Sequence, residues 1–251
     1  MAGAQSIRRP YAELEDATEE LVTITVSYDS TTAHHCVKRK LLCETSTWFR
    51  DALKDEAISY VRIHEGAVIY ECIKHYIHWL NTGTIASIDP SVSFWPNFAA
   101  DKEYRLLGAI WYFGGKYSIP GLQNAAVSAM FASVESSKVV NELVLPGKSC
   151  INRAYHRGPN LDGPRKPLDK LQEALVEMYA TQNSSTHFEQ IEDEVSPFFL
   201  ADLCKRQHAL LKAPRPNLQR LAEDTACDFH LHGAEEACDA GGPIARTQRR
   251  Y

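Results

Sequence analysis

The sequence predicts an α+β fold, in which a short sheet packs with amphipathic helices and is followed by a mainly helical C-terminal region. Runs of β-branched residues near the N-terminus alternate as strands do. Several longer segments instead place apolar residues every three or four positions, which is typical of helices with one buried stripe. The 251 residues are 44% hydrophobic and 24% charged, a balance that favours a folded, water-soluble chain over collagen-like, disordered or membrane-spanning classes.

Three short strands are predicted in the first quarter of the chain. The first, Leu21–Tyr28, reads LVTITVSY and directs alternate side chains to one face. That face is predicted to consist of Val22, Ile24 and Val26. A second strand is predicted at residues 33–37 and a third at 59–63, so the expected sheet is small.

Helices are predicted on both sides of the third strand. Residues 38–43 have helical character, and Ser46 is well placed as the N-cap of the next helix. In that helix Phe49, Ala52 and Leu53 share one face at spacings of three and four. Trp48, Phe49 and Trp79 are predicted core residues. A longer helix at 67–80 is expected to end at Gly83, in the position of a C-cap glycine.

The middle of the chain is predicted as a loop followed by two helices. Residues 86–102 are polar and contain prolines, which favours a loop. Helices are expected at 103–117 and at 121–134, with Pro120 at the entry of the second.

A group of prolines and glycines divides the chain after Leu145. Its members are Pro146, Gly147, Gly158, Pro159, Gly163, Pro164 and Pro167. This density predicts a linker or long loop without regular structure. We therefore expect a mobile N-terminal arm at 1–18, a first domain at 19–140, the linker at 141–167, and a helical region with a Cys/His-containing tail at 168–251. Helices are expected within that region at 168–182 and 197–211.

Charge and targeting signals limit the expected partners and location. The chain has 27 Lys and Arg against 32 Asp and Glu, and this net charge of -5 argues against direct nucleic-acid contact. No apolar run approaches the roughly 18 residues that span a bilayer, and residues 1–20 lack the apolar core of a secretory signal. We expect an intracellular protein, cytoplasmic and/or nuclear, whose seven cysteines are free thiols and mostly buried.

Three sequence blocks occur in a specific order in the first half of the chain. They are HCVKRKLLCETSTWFRDAL at 35–53, YVRIHEGAVIYECIKHYIHWLNTGTI at 60–85, and YFGGKYSIPGLQN at 112–124. Together they resemble the BTB/POZ domain, in the form common in fungal proteins, and cover about half of the chain. The sequence departs from the family pattern at His35, Lys38 and Asn81, where the family usually has an aromatic residue, a histidine and a tyrosine.

The resemblance implies a small α/β domain whose exposed surfaces mediate protein association. We expect a non-enzymatic interaction module that pairs with itself or makes adaptor contacts. One alternative is a substrate adaptor of a cullin-type ubiquitin ligase, with a cullin scaffold as partner. Another is a transcription- or chromatin-associated regulator without direct DNA contact. His35 and Lys38 lie in the region that family members use near the dimer interface.

Three aromatic residues in the predicted loop complete the expected interaction surface. Phe94, Trp95 and Phe98 have few apolar neighbours in the sequence. They either fold back on the domain or form a patch that binds a partner.

Motifs for catalysis and phosphate binding are missing from the sequence, so we predict no catalytic residues and no cofactor. The closest approach to a phosphate loop is Gly114-Gly115-Lys116, which lacks the first glycine and the hydroxyl residue of that motif. Near the C-terminus, Cys227, His230, His232 and Cys238 have the spacing C-x2-H-x-H-x5-C. Tetrahedral zinc accepts two thiolates and two imidazoles, so these residues are candidate ligands of a structural zinc ion. The alternative is an exposed polar tail with two unpaired thiols.

Overall fold

A computed structural model of the chain describes residues 20–64, 66–88, 96–139, 143–155, 169–182, 195–212 and 229–231. Within these ranges the fold is mixed α+β and mostly helical, as predicted. Three strands are present: β1 (Leu21–Tyr28), β2 (Thr31–Lys38) and β3 (Tyr60–His64). The described helices are α1 (Arg39–Thr45), α2 (Thr47–Ala52), α3 (Ala67–Thr82), α4 (Pro96–Lys116), α5 (Pro120–Val139), α6 (Lys148–Ala154), α7 (Lys170–Gln182) and α8 (Pro197–Lys212).

The sheet has the strand order β2-β1-β3, with β1 and β2 antiparallel and β1 and β3 parallel. Its inner face is the predicted one, because Val22, Ile24 and Val26 are all fully buried. The neighbouring strands add to this face Val37, Val61 and Ile63, which are also buried. One face of the sheet therefore forms part of the hydrophobic core, and period-two alternation decides which face.

The predicted cap of α2 is present, since the hydroxyl of Ser46 accepts a hydrogen bond of 3.0 Å from the backbone N–H of Phe49. Phe49 and Trp79 are buried, as predicted. The prediction for Trp48 was wrong, because its side chain is 36% exposed. Trp48 covers the edge of the core, where its ring makes edge contacts with Phe49 and Tyr117 at centroid distances of 4.9 Å.

Helix α3 ends as the sequence predicts. Gly83 has a φ of 73°, in the left-handed region, and its N–H donates to the carbonyl of Trp79 over 2.8 Å. A residue with a side chain is strained in this conformation, which explains why glycine ends the helix.

Helix α4 begins earlier than predicted. Residues 96–102 were expected in a loop, yet they form the first two turns of the helix. The prolines of the stretch 86–102 favoured a loop, whereas proline is favourable at the first helical position because no N–H is needed there. Pro120 occupies the same position in α5.

The segment 141–167 contains helix α6, although a linker or long loop without regular structure was predicted there. The prolines and glycines of this segment lie on either side of α6, and none falls between Lys148 and Ala154. Cys150, Ile151 and Ala154 are buried on α6 and belong to the same hydrophobic core as the sheet. The division into domains at 19–140 and 168–251 stays a prediction.

The C-terminal helices α7 and α8 extend this core. Phe199 of α8 is buried between the rings of Tyr155 and Tyr179, both in edge-on geometry. The hydroxyl of Tyr179 donates a 2.7 Å hydrogen bond to the carbonyl of Pro146. The side chain of Asn152 accepts a 2.8 Å hydrogen bond from the N–H of Ser196, which precedes α8.

Candidate interaction surface

The outer face of the sheet has no covering element among the described residues. Side chains on this face come from all three strands, and none of them is buried. They are Leu21, Thr23, Thr25, Ser27, Thr32, His34, Cys36, Lys38, Tyr60, Arg62 and His64. We refer to this set of residues as the outer sheet face.

The outer sheet face has an apolar end. The strand register places Tyr60 opposite Thr23, and Leu21 is the next outward-facing residue on β1. Leu21 is 55% exposed and Tyr60 is 57% exposed, so two large apolar side chains face solvent at diagonal positions of neighbouring strands. Apolar groups clustered in this way are typical of contact surfaces.

The two cations of the outer sheet face, Lys38 and Arg62, lie beside its apolar end, since Lys38 pairs with Leu21. The guanidinium of Arg62 lies 5.5 Å from the ring centroid of Tyr60, a cation–π distance. His64 follows Arg62 by two positions on β3. His34 lies on β2 opposite Thr25, the β1 residue that pairs with Arg62, and its Nδ1 atom is 3.1 Å from the hydroxyl of Thr25. The outward-facing strand positions include no Asp or Glu. The face therefore contrasts with the chain as a whole, whose net charge is -5.

The two interaction residues predicted on β2 lie on opposite faces of that strand. Lys38 is half-buried on the outer sheet face, opposite Leu21. His35 pairs with Ile24 and therefore faces the helices. Its Nε2 atom is buried and has no hydrogen-bond partner in the ranges that the structure covers. Burial, with Lys74 and His34 nearby, lowers the pKa of His35.

The predicted aromatic patch lies almost entirely beyond the structural description. Phe94 and Trp95 fall outside the described residues. Phe98 belongs to α4, and its side chain is not among those described. The prediction that these three residues bind a partner or fold back therefore stays a prediction.

A second surface feature is a groove of about 640 Å³ between α3, α4 and α6. Its lining residues are Val68, Ile69, Ala109, Tyr112, Asn152 and Arg153. The hydroxyl of Tyr112 donates a 3.1 Å hydrogen bond to the carbonyl of Arg153. Burial raises the pKa of Tyr112 well above its ordinary value, so this hydroxyl remains protonated.

One of the four candidate zinc ligands is described. His230 is 7% exposed, and its Nε2 atom is 2.8 Å from the hydroxyl of Ser128 on α5. Cys227, His232 and Cys238 lie outside the described residues. No group of three or more His, Cys, Asp or Glu side chains is placed to hold a metal ion in the described ranges. The structure gives the zinc hypothesis no support, and it assigns the Nε2 atom of His230 to a contact with Ser128.

The glycines of the Gly114-Gly115-Lys116 sequence have a role in packing. A Cβ atom added at Gly114 would lie 2.7 Å from Cγ of Gln123 and 3.2 Å from the carbonyl oxygen of Ile119. Glycine at this position therefore lets the end of α4 approach the start of α5 closely. Helix packing accounts for Gly114, in the sequence that comes closest to a phosphate loop.

The expectation that the cysteines are mostly buried was wrong for two of them. Cys72 and Cys150 are buried free thiols, and burial raises the pKa of each to about 12. Cys36 and Cys204 are exposed free thiols. Cys36 is exposed because it occupies an outward-facing position of β2, which strand alternation could have indicated.

Comparison with known proteins leaves the fold and the surface to be interpreted from the chain itself. No protein-family model matches the sequence, and no curated protein matches it. Among the described residues, no helix has both the length and the apolar character required to cross a membrane.

Proposed function

We propose that this chain is a protein-association module with a BTB/POZ-like N-terminal domain, and that it pairs with a second copy of itself through the outer sheet face. The observation that carries the proposal is the uncovered apolar end of this face, formed by Leu21 and Tyr60. Burying these two side chains against a partner would remove apolar surface from water, which is the main driving force of association.

The packing of the three sequence blocks supports the BTB/POZ-like part of the proposal. Phe49 comes from the first block, Tyr76 from the second and Tyr117 from the third. The ring centroid of Phe49 is 5.9 Å from that of Tyr76 and 6.1 Å from that of Tyr117. The blocks that carry the resemblance thus meet in one aromatic cluster, beside a short sheet packed with helices.

The resemblance favours a second copy of this chain as the partner, because BTB/POZ domains often pair with themselves. A two-fold interface brings the same patch of both copies together, so Leu21 and Tyr60 of one copy would pack against Leu21 and Tyr60 of the other.

The test is the molar mass of the full chain in solution, measured by light scattering during gel filtration over a range of concentrations. The expected mass is twice 28.2 kDa. The double variant Leu21→Lys/Tyr60→Lys should shift the mass to that of the monomer, because it adds two positive charges beside Lys38 and Arg62 at the apolar end of the interface. Both residues are more than half exposed, so the fold should tolerate these changes.

Leu211→Lys is the matched control, since Leu211 is also an exposed leucine but lies on α8. This variant should keep the wild-type mass. A wild-type chain that is monomeric at every concentration would overturn the proposal of self-pairing. A double variant that retains the wild-type mass would overturn the assignment of the interface to the outer sheet face.

A further inference from the structure

A short segment near the C-terminus lies against helix α5, more than ninety residues away in the sequence. It consists of Phe229, His230 and Leu231, and each of these residues has its own partner on the helix. The partners are Phe131, Ser128 and Asn124, which are spaced three and four residues apart and therefore share one face of α5. The segment runs antiparallel to the helix, since Phe229 meets Phe131 and Leu231 meets Asn124.

The contact with Asn124 involves the backbone of the segment. Nδ2 of Asn124 donates a 3.0 Å hydrogen bond to the carbonyl of Leu231, and Oδ1 accepts a 2.5 Å hydrogen bond from the N–H of the same residue. A neighbouring β-strand forms the same pair of hydrogen bonds with one residue of a peptide, one to its N–H and one to its carbonyl. A side-chain amide can provide both bonds because it carries a donor and an acceptor side by side.

The other two contacts involve side chains of the segment. Nε2 of His230 and the hydroxyl of Ser128 are 2.8 Å apart, and the imidazole is 7% exposed. The rings of Phe229 and Phe131 are stacked, with a centroid distance of 5.5 Å and an interplanar angle of 24°. The helix therefore contacts an aromatic ring, an imidazole and a backbone amide at three consecutive positions.

Asn124 is a buried polar side chain whose amide is hydrogen-bonded to the C-terminal segment. Asn124 is 4% exposed, and its neighbours Ala125, Ala126 and Val127 are buried as well. Burying an amide group without hydrogen bonds reduces stability. The backbone of Leu231 supplies these hydrogen bonds to the buried amide of Asn124. The combination of main-chain hydrogen bonds with side-chain contacts is how peptide-recognition surfaces obtain affinity and specificity.

We propose that Asn124, Ser128 and Phe131 form a peptide-binding site that recognises an aromatic–histidine–aliphatic sequence, and that residues 229–231 of the same chain occupy it as an intrachain ligand. A partner peptide of this chemistry binds only when it displaces the chain's own segment. Tethering gives that segment a high effective concentration, which weakens the apparent affinity for the competing peptide. The inference does not depend on self-pairing through the outer sheet face.

The test uses a fluorescent peptide and the full-length chain. The peptide copies residues 226–234, with serine in place of Cys227, and its binding is followed by fluorescence anisotropy. The full-length double variant Phe229→Ala/His230→Ala, in which the intrachain ligand is weakened, should bind the peptide at least about tenfold more tightly than the wild-type chain. A Leu231→Pro version of the peptide should not bind, because proline has no N–H to donate to Asn124.

Substitutions on α5 identify the site. In the background of the double variant, Asn124→Ala should abolish binding of the peptide, whereas Asn124→Asp should retain part of it, since the carboxylate still accepts from the N–H of Leu231. Ser136→Ala is the matched control: its hydroxyl donates within α5 to Ala132, so binding should be unchanged. Circular dichroism shows whether each variant is folded. If Asn124→Ala does not fold, Asn124→Asp still tests the site.

Two results would overturn the proposal. One is that the double variant shows no saturable binding at peptide concentrations up to about 1 mM, which is the range of effective concentration for a tethered segment. The other is that Asn124→Asp binds the peptide as tightly as the background variant does. Failure of self-pairing would be detected separately, as a monomeric mass with intact peptide binding.

Discussion

Ser46 and Tyr117 are 71 positions apart in the chain, and the hydroxyl of Ser46 donates a 2.6 Å hydrogen bond to the backbone carbonyl of Tyr117. The same hydroxyl accepts the N–H of Phe49, so one buried oxygen caps α2 and also joins α2 to the end of α4. The N-cap function could be predicted from the sequence, but the bond to Tyr117 could not, because it depends on how distant helices pack.

Ser46→Ala should reduce the free energy of unfolding by roughly 1–3 kcal/mol. The substitution removes the cap of α2 and leaves the carbonyl of Tyr117 without this donor in a buried site. Unfolding by urea, followed by circular dichroism, measures the change. Ser136→Ala is the control, because that hydroxyl is exposed and bonds within its own helix. Equal stability losses for the two variants would contradict the assigned role of Ser46.

The pair formed by Glu177 and Arg206 should stabilise the packing of α7 against α8. Nε of Arg206 donates to one carboxylate oxygen of Glu177 over 2.6 Å, and Nη2 donates to the other over 2.9 Å. Arg206→Ala leaves a buried carboxylate without its partner, so the free energy of unfolding should fall by roughly 1–3 kcal/mol. Arg206→Lys should restore part of this loss only, because an ammonium group cannot form the two parallel bonds.

Urea unfolding of the single variants and of Arg206→Ala/Glu177→Gln provides the measurement as a double-mutant cycle. The double variant should lose less stability than the sum of the two single losses. Lys212→Ala, at an exposed basic residue of the same helix, should change stability by less than about 0.5 kcal/mol. Strictly additive losses in the cycle would show that the two side chains do not stabilise each other.

Two adjacent glycines in α4 should respond in opposite ways to the same substitution. Gly114→Ala places a methyl group 2.7 Å from Cγ of Gln123 and should reduce the free energy of unfolding by about 1–3 kcal/mol. Gly115 is exposed, and the closest atom to an added Cβ is the amide nitrogen of Gln123 at 3.1 Å, at the end of a long side chain. Gly115→Ala should therefore be neutral or stabilise the helix by up to about 1 kcal/mol. Thermal unfolding of the two variants compares them, and a larger loss for Gly115→Ala would refute the packing argument.

The predictions from sequence were most accurate where a local pattern determines the structure. Alternation identified the buried face of β1, and the glycine at the end of α3 has the left-handed conformation that its position indicated. Helix α6 was missed because flanking prolines and glycines were given more weight than the seven residues between them. Two features could not be predicted from local pattern: that the outer sheet face has no covering element among the described residues, and that Asn124 contacts Leu231. Both depend on which parts of the chain pack together.

Stability should fall as the pH is lowered below the ordinary pKa of histidine, 6.5, and His35 should contribute to this loss. Burial, followed by the charge of Lys74 and by His34, lowers the pKa of His35 in the folded chain, whereas the unfolded chain binds the proton near the ordinary value. Since the unfolded state binds more protons in this range, acidification favours unfolding. His75 should act in the same direction, chiefly because burial lowers its pKa as well.

His35→Gln should therefore reduce the difference in melting temperature between about pH 7.5 and pH 5.5, because glutamine takes up no proton on unfolding. Differential scanning fluorimetry of the variant and the wild-type chain in matched buffers measures this difference. His64→Gln is the control, since it removes an exposed histidine from the outer sheet face, away from Lys74. Part of the acid sensitivity should remain in His35→Gln, because His75 is still present. If His35→Gln and His64→Gln retain the same dependence on pH, protonation of His35 does not oppose folding, and the acid sensitivity must arise at other groups.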